Sequence, residues 1–246
     1  MSSNAVTYEV VDQVAIVTIN RPQQRNAINQ EVADGLRAAW ERLNAGDERV
    51  AILTTSGDHF SVGMDVKAPA NDFPACVPNV GIKLNKPLIA AVAGWTVGGG
   101  VVMVQMADLC IAADTTKFLF PEAKVGFTGA LVAGLAARIP HKVAMELMLV
   151  GDELSAERAY QVGLVNKVVP RDQLLDAAMN YARRLAANAP MVLSLLRDFV
   201  GEVIPRGPSE LAAHGRFAIA RVRQSEDAKE GVASFKAKRK PQFKGR

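Results

Sequence analysis

The sequence predicts an α/β fold with mostly parallel strands, ending in a wholly helical region. Three observations lead there. Strand-like and helix-like segments alternate in a strand, turn, helix, strand rhythm through the first two thirds of the chain, the pattern of stacked repeating units. Beyond position 173 only helix-periodic stretches follow. The chain has 246 residues, 49% hydrophobic and 22% charged. That suffices for one large single-core domain, or a core with a small appendage, and is too apolar for disorder.

The elements follow in order. Two β-rich runs, 6–10 and 14–19, read as a hairpin turning at Asp12 and Gln13, and Arg21-Pro22 stops the second. Val32, Leu36, Ala39, Trp40 and Leu43 recur at helical spacing, with Asn44 and Gly46 closing the helix. Residues 50–57 form a short buried strand. The pattern then recurs, with a strand at 88–92, a helix at 98–106 and a strand at 109–112. Residues 143–151 and 155–163 read as short helices, the second with Ser155 as N-cap and Gly163 just beyond its end. The run 164–170 is a last strand halted by Pro170. Helical stretches at 173–188, 191–204 and 209–239 present Leu, Ala and Val faces that need cover, as in a cap or an oligomerisation module.

Composition narrows the function classes. A formal charge of +4 is modest for this length, so nucleic acid is not an expected partner, whereas an anionic small molecule is compatible. Lys236, Lys238, Arg239, Lys240, Lys244 and Arg246 crowd the C-terminus, as a solvated tail or as phosphate contacts. Cys76 and Cys110 lack metal-like spacing and read as reduced thiols, and no metal site is expected. The first residues lack a basic stretch followed by an apolar one, which points to a cytoplasmic protein. The uncharged stretch 87–107 could pass for a membrane span, but its three consecutive glycines argue for a strand, a turn and a buried helix.

Chemistry concentrates in two glycine clusters and one acid. "FSVGMD" (60–65) and "GWTVGGG" (94–100) each follow a predicted buried strand, and each could expose unpaired backbone N–H groups. Two such donors converging would form an oxyanion hole; tight packing is the alternative use of the glycines. Neither cluster has phosphate-loop spacing, there is no GxSxG nucleophile elbow, and His59, His141 and His214 are scattered. In "FLFPEAKVGF" (118–127), Glu122 is the one acid in an apolar run. It is either an acid/base catalyst or a charge at a turn.

The segments "NRPQQRNAIN", "FSVGMDVK", "KPLIAAVAGWTVGGG", "ADLCIAADTTKFLFPEAKVGF", "GDELSAERAYQVGLVNKVV" and "FKAKRKPQF" occur in the order found in the crotonase superfamily, the enoyl-CoA hydratases and isomerases. The resemblance covers nearly the whole chain. It implies a spiral of repeated ββα units over 1–188 carrying an acyl-CoA site, and a helical oligomerisation region over 189–246 that makes homo-trimers, often paired as hexamers. It implies an acyl-CoA thioester substrate with no cofactor beyond the coenzyme A it carries. The chemistry implied is a thioester enolate held by the backbone N–H groups of Met64 and Gly99.

Family hydratases use two glutamates, one two residues after the glycine triplet and one in a Pro-Glu pair 20 residues later. Here the second is Glu122, but the first is Val102, which cannot orient or deprotonate a water. The resemblance therefore points to double-bond isomerisation with Glu122 as sole acid/base. Apolar neighbours such as Phe118, Phe120 and Phe127 would raise its pKa if they lie near it. Hydration by Glu122 with a water held by other groups is the alternative, and a non-catalytic acyl-CoA or RNA-binding relative is a third reading.

For the CoA moiety the resemblance points to Val62 and the neighbouring backbone, to Arg25 near the phosphates, and to Lys238, which would reach a neighbouring subunit's CoA. Asp65, Gly98 and Val102, bordering the two loops, complete the substrate-binding set. For the side chains of Asp65, Asp108 and Asp114, backbone hydrogen bonding at strand or turn ends is the alternative use. Glu146 reads as structural, and the stretch 126–140, where some relatives carry an acid, offers only Thr128 and Arg138. Residues 66–82 would line the acyl pocket, but their conformation does not follow from sequence.

Overall fold

The computed structural model describes residues 5–246, so Met1–Asn4 of the leader reading lie outside the described residues. Strands β1 (Val6–Val11) and β2 (Val14–Ile19) pair antiparallel, as expected. Asp12 and Gln13 between them both take positive φ, 50° and 63°, the twist a two-residue hairpin requires. Asn29 caps helix α1 (Gln30–Ala45) by accepting from Val32 N, and Gly46 follows its end.

From β2 onward the main sheet is parallel. Its order is β1, β2, β3 (Val50–Thr55), β4 (Leu88–Val92), β6 (Leu109–Ala113) and β9 (Lys167–Val169). Strands covered on both faces must be apolar at every position, which is why these segments read as continuous hydrophobic runs. Alternate residues feed two cores. Ala15, Val17, Leu53, Ala90, Val92 and Ala112 face the side shared with Trp40, Phe60 and Phe118. Val50, Ile52, Ile89, Ala91 and Ile111 pack on Leu174, Ala178, Met179 and Ala182 of helix α6 (Leu174–Ala186).

The second strand of each ββα unit belongs to a separate sheet of three very short strands that the residue patterning did not show, β5 (Trp95–Val97), β7 (Lys117–Leu119) and β8 (Leu154–Ser155). An isolated bridge between Ser61 and Thr96 extends it toward the loop after β3. The repeating unit is thus a strand in each sheet followed by a helix: β4, β5 and α2 (Gly99–Met106), then β6, β7 and α3 (Glu122–Val125). Strands of two or three residues carry too few alternations to show a period. The apolar stretch 87–107 is divided among β4, β5 and α2, and among the described residues no helix is long and apolar enough to cross a membrane.

Residues 143–151, read as one short helix, are in fact the end of α4 (His141–Met145) running into a π-helical turn, Glu146–Val150, closed by Gly151 in the left-handed region. Helix α5 (Ala156–Gln161) is capped by Ser155, which accepts from Arg158 N. Helices α7 (Pro190–Val203), α8 (Pro208–Gln224) and α9 (Glu226–Lys236) complete the chain. Four ion pairs tie α7 and α8 to the spiral: Arg197 with Asp108 and Asp198 with Lys83, both at 2.9 Å, Glu210 with Arg138 at 3.4 Å and Arg216 with Asp72 at 2.7 Å. Met191, Leu195, Leu196, Phe199 and Val203 of α7 nevertheless remain exposed.

Candidate active site

The loop after β3 is held by a small polar scaffold. The Asn26 amide donates to the carbonyls of Ser56 and His59, and the buried Ser61 hydroxyl donates to Asn26 O at 2.8 Å and accepts from Gly63 N at 3.1 Å. Gly63 follows with φ +90°, a conformation that disfavours any side chain. A Cβ there would also stand 3.2 Å from Val97 O and 3.8 Å from Gly99 N, so this glycine lets the two loops touch.

The bridge between Ile28 and Met64 decides which amide is left over. Ile28 N donates to Gly63 O at 2.8 Å and Ile28 O accepts from Asp65 N at 2.9 Å. In a parallel bridge this uses the groups on either side of Met64 and turns the Met64 N–H the other way. On the facing loop, Gly98 takes φ +52° and donates to Leu119 O, and Gly99 begins α2, where a first-turn N–H has no intrahelical acceptor. Neither Met64 N nor Gly99 N finds an acceptor among the described residues. Unpaired N–H donors on adjoining loops can hold a developing oxyanion.

Val102 lies one helical turn beyond Gly99 on the same side of α2 and is 4% exposed. Glu122 opens α3 directly after Pro121 and is half-buried. Its Oε2 is buried with no hydrogen-bond partner. Burial pushes its pKa above the ordinary carboxylate value, opposed by hydrogen bonds from the Thr128 hydroxyl and the Gly129 N–H. Phe118 and Phe120 are buried as expected, but Phe127 is 67% exposed and gives Glu122 no apolar cover. The left-handed turn at Gly126 ends α3 and throws the following ring outward.

The remaining candidates divide by position. Val62 N donates to Arg25 O at 3.2 Å, which brings two of the proposed CoA contacts together, and the Arg25 side chain is exposed. The Asp65 carboxylate accepts from the amides of Lys67 and Ala68 and pairs with Arg21 at 3.1 Å; the Lys67 amide foremost holds its pKa down. Its side chain therefore serves the loop. Lys238 is exposed just past α9, which packs on α8. The neighbouring basic residues fold back, Arg239 onto Glu230 and Arg246 onto Glu226.

Two features had no signal in the sequence. Phe73, in the short 3-10 helix Phe73–Cys76, reaches Gly99. Gln105 of α2 donates to Leu131 O and to Glu210 Oε1, both at 3.1 Å, so the buried Glu210 of α8 joins the active-site helix to the stretch carrying Arg138. The pairing of Gln105 with Glu210 spans 105 positions, beyond any local pattern.

The fold and these loops define the crotonase class of α/β spirals. A family model described as enoyl-CoA hydratase/isomerase matches residues 9–246. The chain is 36% identical over 255 residues to (E)-benzylidenesuccinyl-CoA hydratase of Thauera aromatica, covering 98% of this chain and 99% of that one. It is 35% identical over 247 residues to an enoyl-CoA hydratase of Mycobacterium tuberculosis, covering 94% and 93%. Among solved structures, an enoyl-CoA hydratase of M. tuberculosis superposes with TM-score 0.75 at 36% identity, covering 98% of this chain and 99% of that one. A carnitinyl-CoA hydratase of Mycobacterium avium does so with TM-score 0.77 at 32% identity, with the same coverage. The chain belongs to the enoyl-CoA hydratase/isomerase family and is an acyl-CoA enzyme of that family.

Proposed function

We propose that the protein moves the double bond of an enoyl-CoA thioester from C3=C4 to C2=C3, with Glu122 as the sole acid/base. The observation that carries this reading is the pairing of an apolar, buried Val102 with a Glu122 whose Oε2 has no partner. One carboxylate is then available for proton transfer, and isomerisation needs only one. Glu122 removes a proton from C2, and the electron pair moves into the thioester to give a dienolate whose oxygen accepts from Met64 N and Gly99 N. The proton returns at C4, the C2=C3 bond forms, and Glu122 is again ionised. A raised pKa makes Glu122 a stronger base for a weakly acidic C–H.

In this reading Val62 and Gly98 border the pantetheine and thioester, Asp65 keeps its loop in shape, and Arg25 and Lys238 meet the CoA phosphates, with no metal or separate cofactor. The exposed apolar side chains of α7 support a homo-oligomer, a trimer or a pair of trimers. Hydration is the second reading, favoured by relatives that are themselves named hydratases.

Incubation of the purified protein with a 3-enoyl-CoA and, separately, with a 2-enoyl-CoA distinguishes the two. Conjugated-thioester absorbance appearing without a mass change in the first tube, and no reaction in the second, is the expected result. Addition of water to the 2-enoyl-CoA would overturn the isomerase reading.

A further inference from the structure

Phe73 lies in the 66–82 segment and points at Gly99. A Cβ on Gly99 would meet Phe73 Cζ at 3.2 Å and Cε1 at 3.6 Å, beside Ile28 Cδ1 at 3.1 Å. The Gly99 nitrogen and that Cβ position are substituents of one Cα, about 2.5 Å apart. The ring edge therefore stands within roughly 6 Å of the unpaired Gly99 nitrogen.

The segment holding Phe73 is fixed at several points. Asp72 pairs with Arg216 at 2.7 Å, and Asn71 N donates to Gln30 Oε1 at 2.9 Å. The Cys76 thiol donates to Phe73 O at 3.2 Å, and Trp40 Nε1 donates to Cys76 O at 3.0 Å.

We infer that Phe73 contacts the acyl group at its reacting carbons and selects thioesters that carry a π-system there, and the dienolate formed from them, over saturated ones. The inference rests on the thioester reading above. An aromatic ring is electropositive along its edge, and the Cζ–Cε1 edge is the part of Phe73 nearest Gly99. That edge favours the π-face of a flat enoyl, dienoyl or aryl-conjugated group, and it favours the negative dienolate further. A saturated chain offers neither a π-face nor delocalised charge.

The test compares hexanoyl-CoA with (2E,4E)-hexadienoyl-CoA, equal in length, titrated calorimetrically at low temperature into the full-length protein, with each ligand checked intact by chromatography afterwards. The wild type should prefer the dienoyl thioester by about 2- to 12-fold, the range of ring edge-to-face pairs converted at a tenfold per 1.4 kcal/mol. Phe73→Leu and Phe73→Met, two replacements without a ring edge, should bring the ratio to about one while hexanoyl-CoA binding stays within about twofold. If one variant fails to fold, the other carries the comparison. An equal preference in the wild type, or an unchanged one in a folded variant, overturns the inference alone. If neither thioester binds the wild type, the acyl-CoA reading fails and this inference with it.

Discussion

Glu122→Gln separates catalysis from stability at one position. The substitution keeps the shape of the side chain and removes the ability to take a proton. With Val102 4% exposed and apolar, no second carboxylate stands ready on α2 to compensate. A positioned base contributes about 10²–10⁴ in rate, and one that must both remove and return the proton should lie toward the upper end. A 10⁴ loss corresponds to about 5.5 kcal/mol of barrier. The assay is conjugated-thioester absorbance on a 3-enoyl-CoA, with CoA-ester binding measured in parallel and unchanged.

Stability should move the other way. A carboxyl whose pKa is raised by burial in the folded protein favours folding when protonated. Its contribution is full below the unfolded pKa and is lost as pH rises through the folded value. The neutral amide avoids that loss, so Glu122→Gln should melt at or above the wild-type temperature at neutral pH, the difference shrinking in acid. Retained turnover would show another base at work, and a large fall in melting temperature would refute the account of Glu122 as a partly desolvated acid with one unpartnered oxygen.

Other predictions follow from the same geometry. The wild-type rate should climb with pH through a midpoint above the ordinary carboxylate value and then level off, because the ionised form is the base; a pH–rate profile flat across that range would be inconsistent with Glu122. Val102→Glu should introduce or raise hydration of a 2-enoyl-CoA while lowering stability through the buried charge, read by mass spectrometry and denaturant titration. Gly63→Ala, at φ +90° with its Cβ 3.2 Å from Val97 O, should destabilise by about 1–3 kcal/mol and slow turnover by parting the two loops, whereas an unchanged rate would argue that their contact does not matter. Glu210→Ala removes the carboxylate that pairs with Arg138 and accepts from the Gln105 amide, leaving these two groups their carbonyl acceptors Gly134 O and Leu131 O, and should reduce the unfolding free energy by about 3 kcal/mol in urea titration.

Much of the architecture is written locally. The hairpin turn at Asp12 and Gln13, the continuous apolar runs of β3 and β4, and the Ser155 cap each depend on residues a few positions apart, so their spacing alone reveals them. The two glycine clusters are likewise visible in one dimension, because each lies within a few consecutive residues, and the absence of an acid at Val102 shows only against the crotonase pattern that the chain resembles.

What did not emerge depends on contacts between distant segments. Strands β5, β7 and β8 are too short to have a period and are defined by pairing with one another across long stretches of chain. The π-helical turn at Glu146–Val150 and the joining of Gln105 to Glu210 are set by packing between elements. Phe73 is one aromatic residue in a Pro-containing segment until the chain closes and brings its ring against Gly99, 26 positions away. Local propensity names the groups that can do chemistry, whereas their approach within a few ångströms arises when long-range burial and pairing close the loops between them.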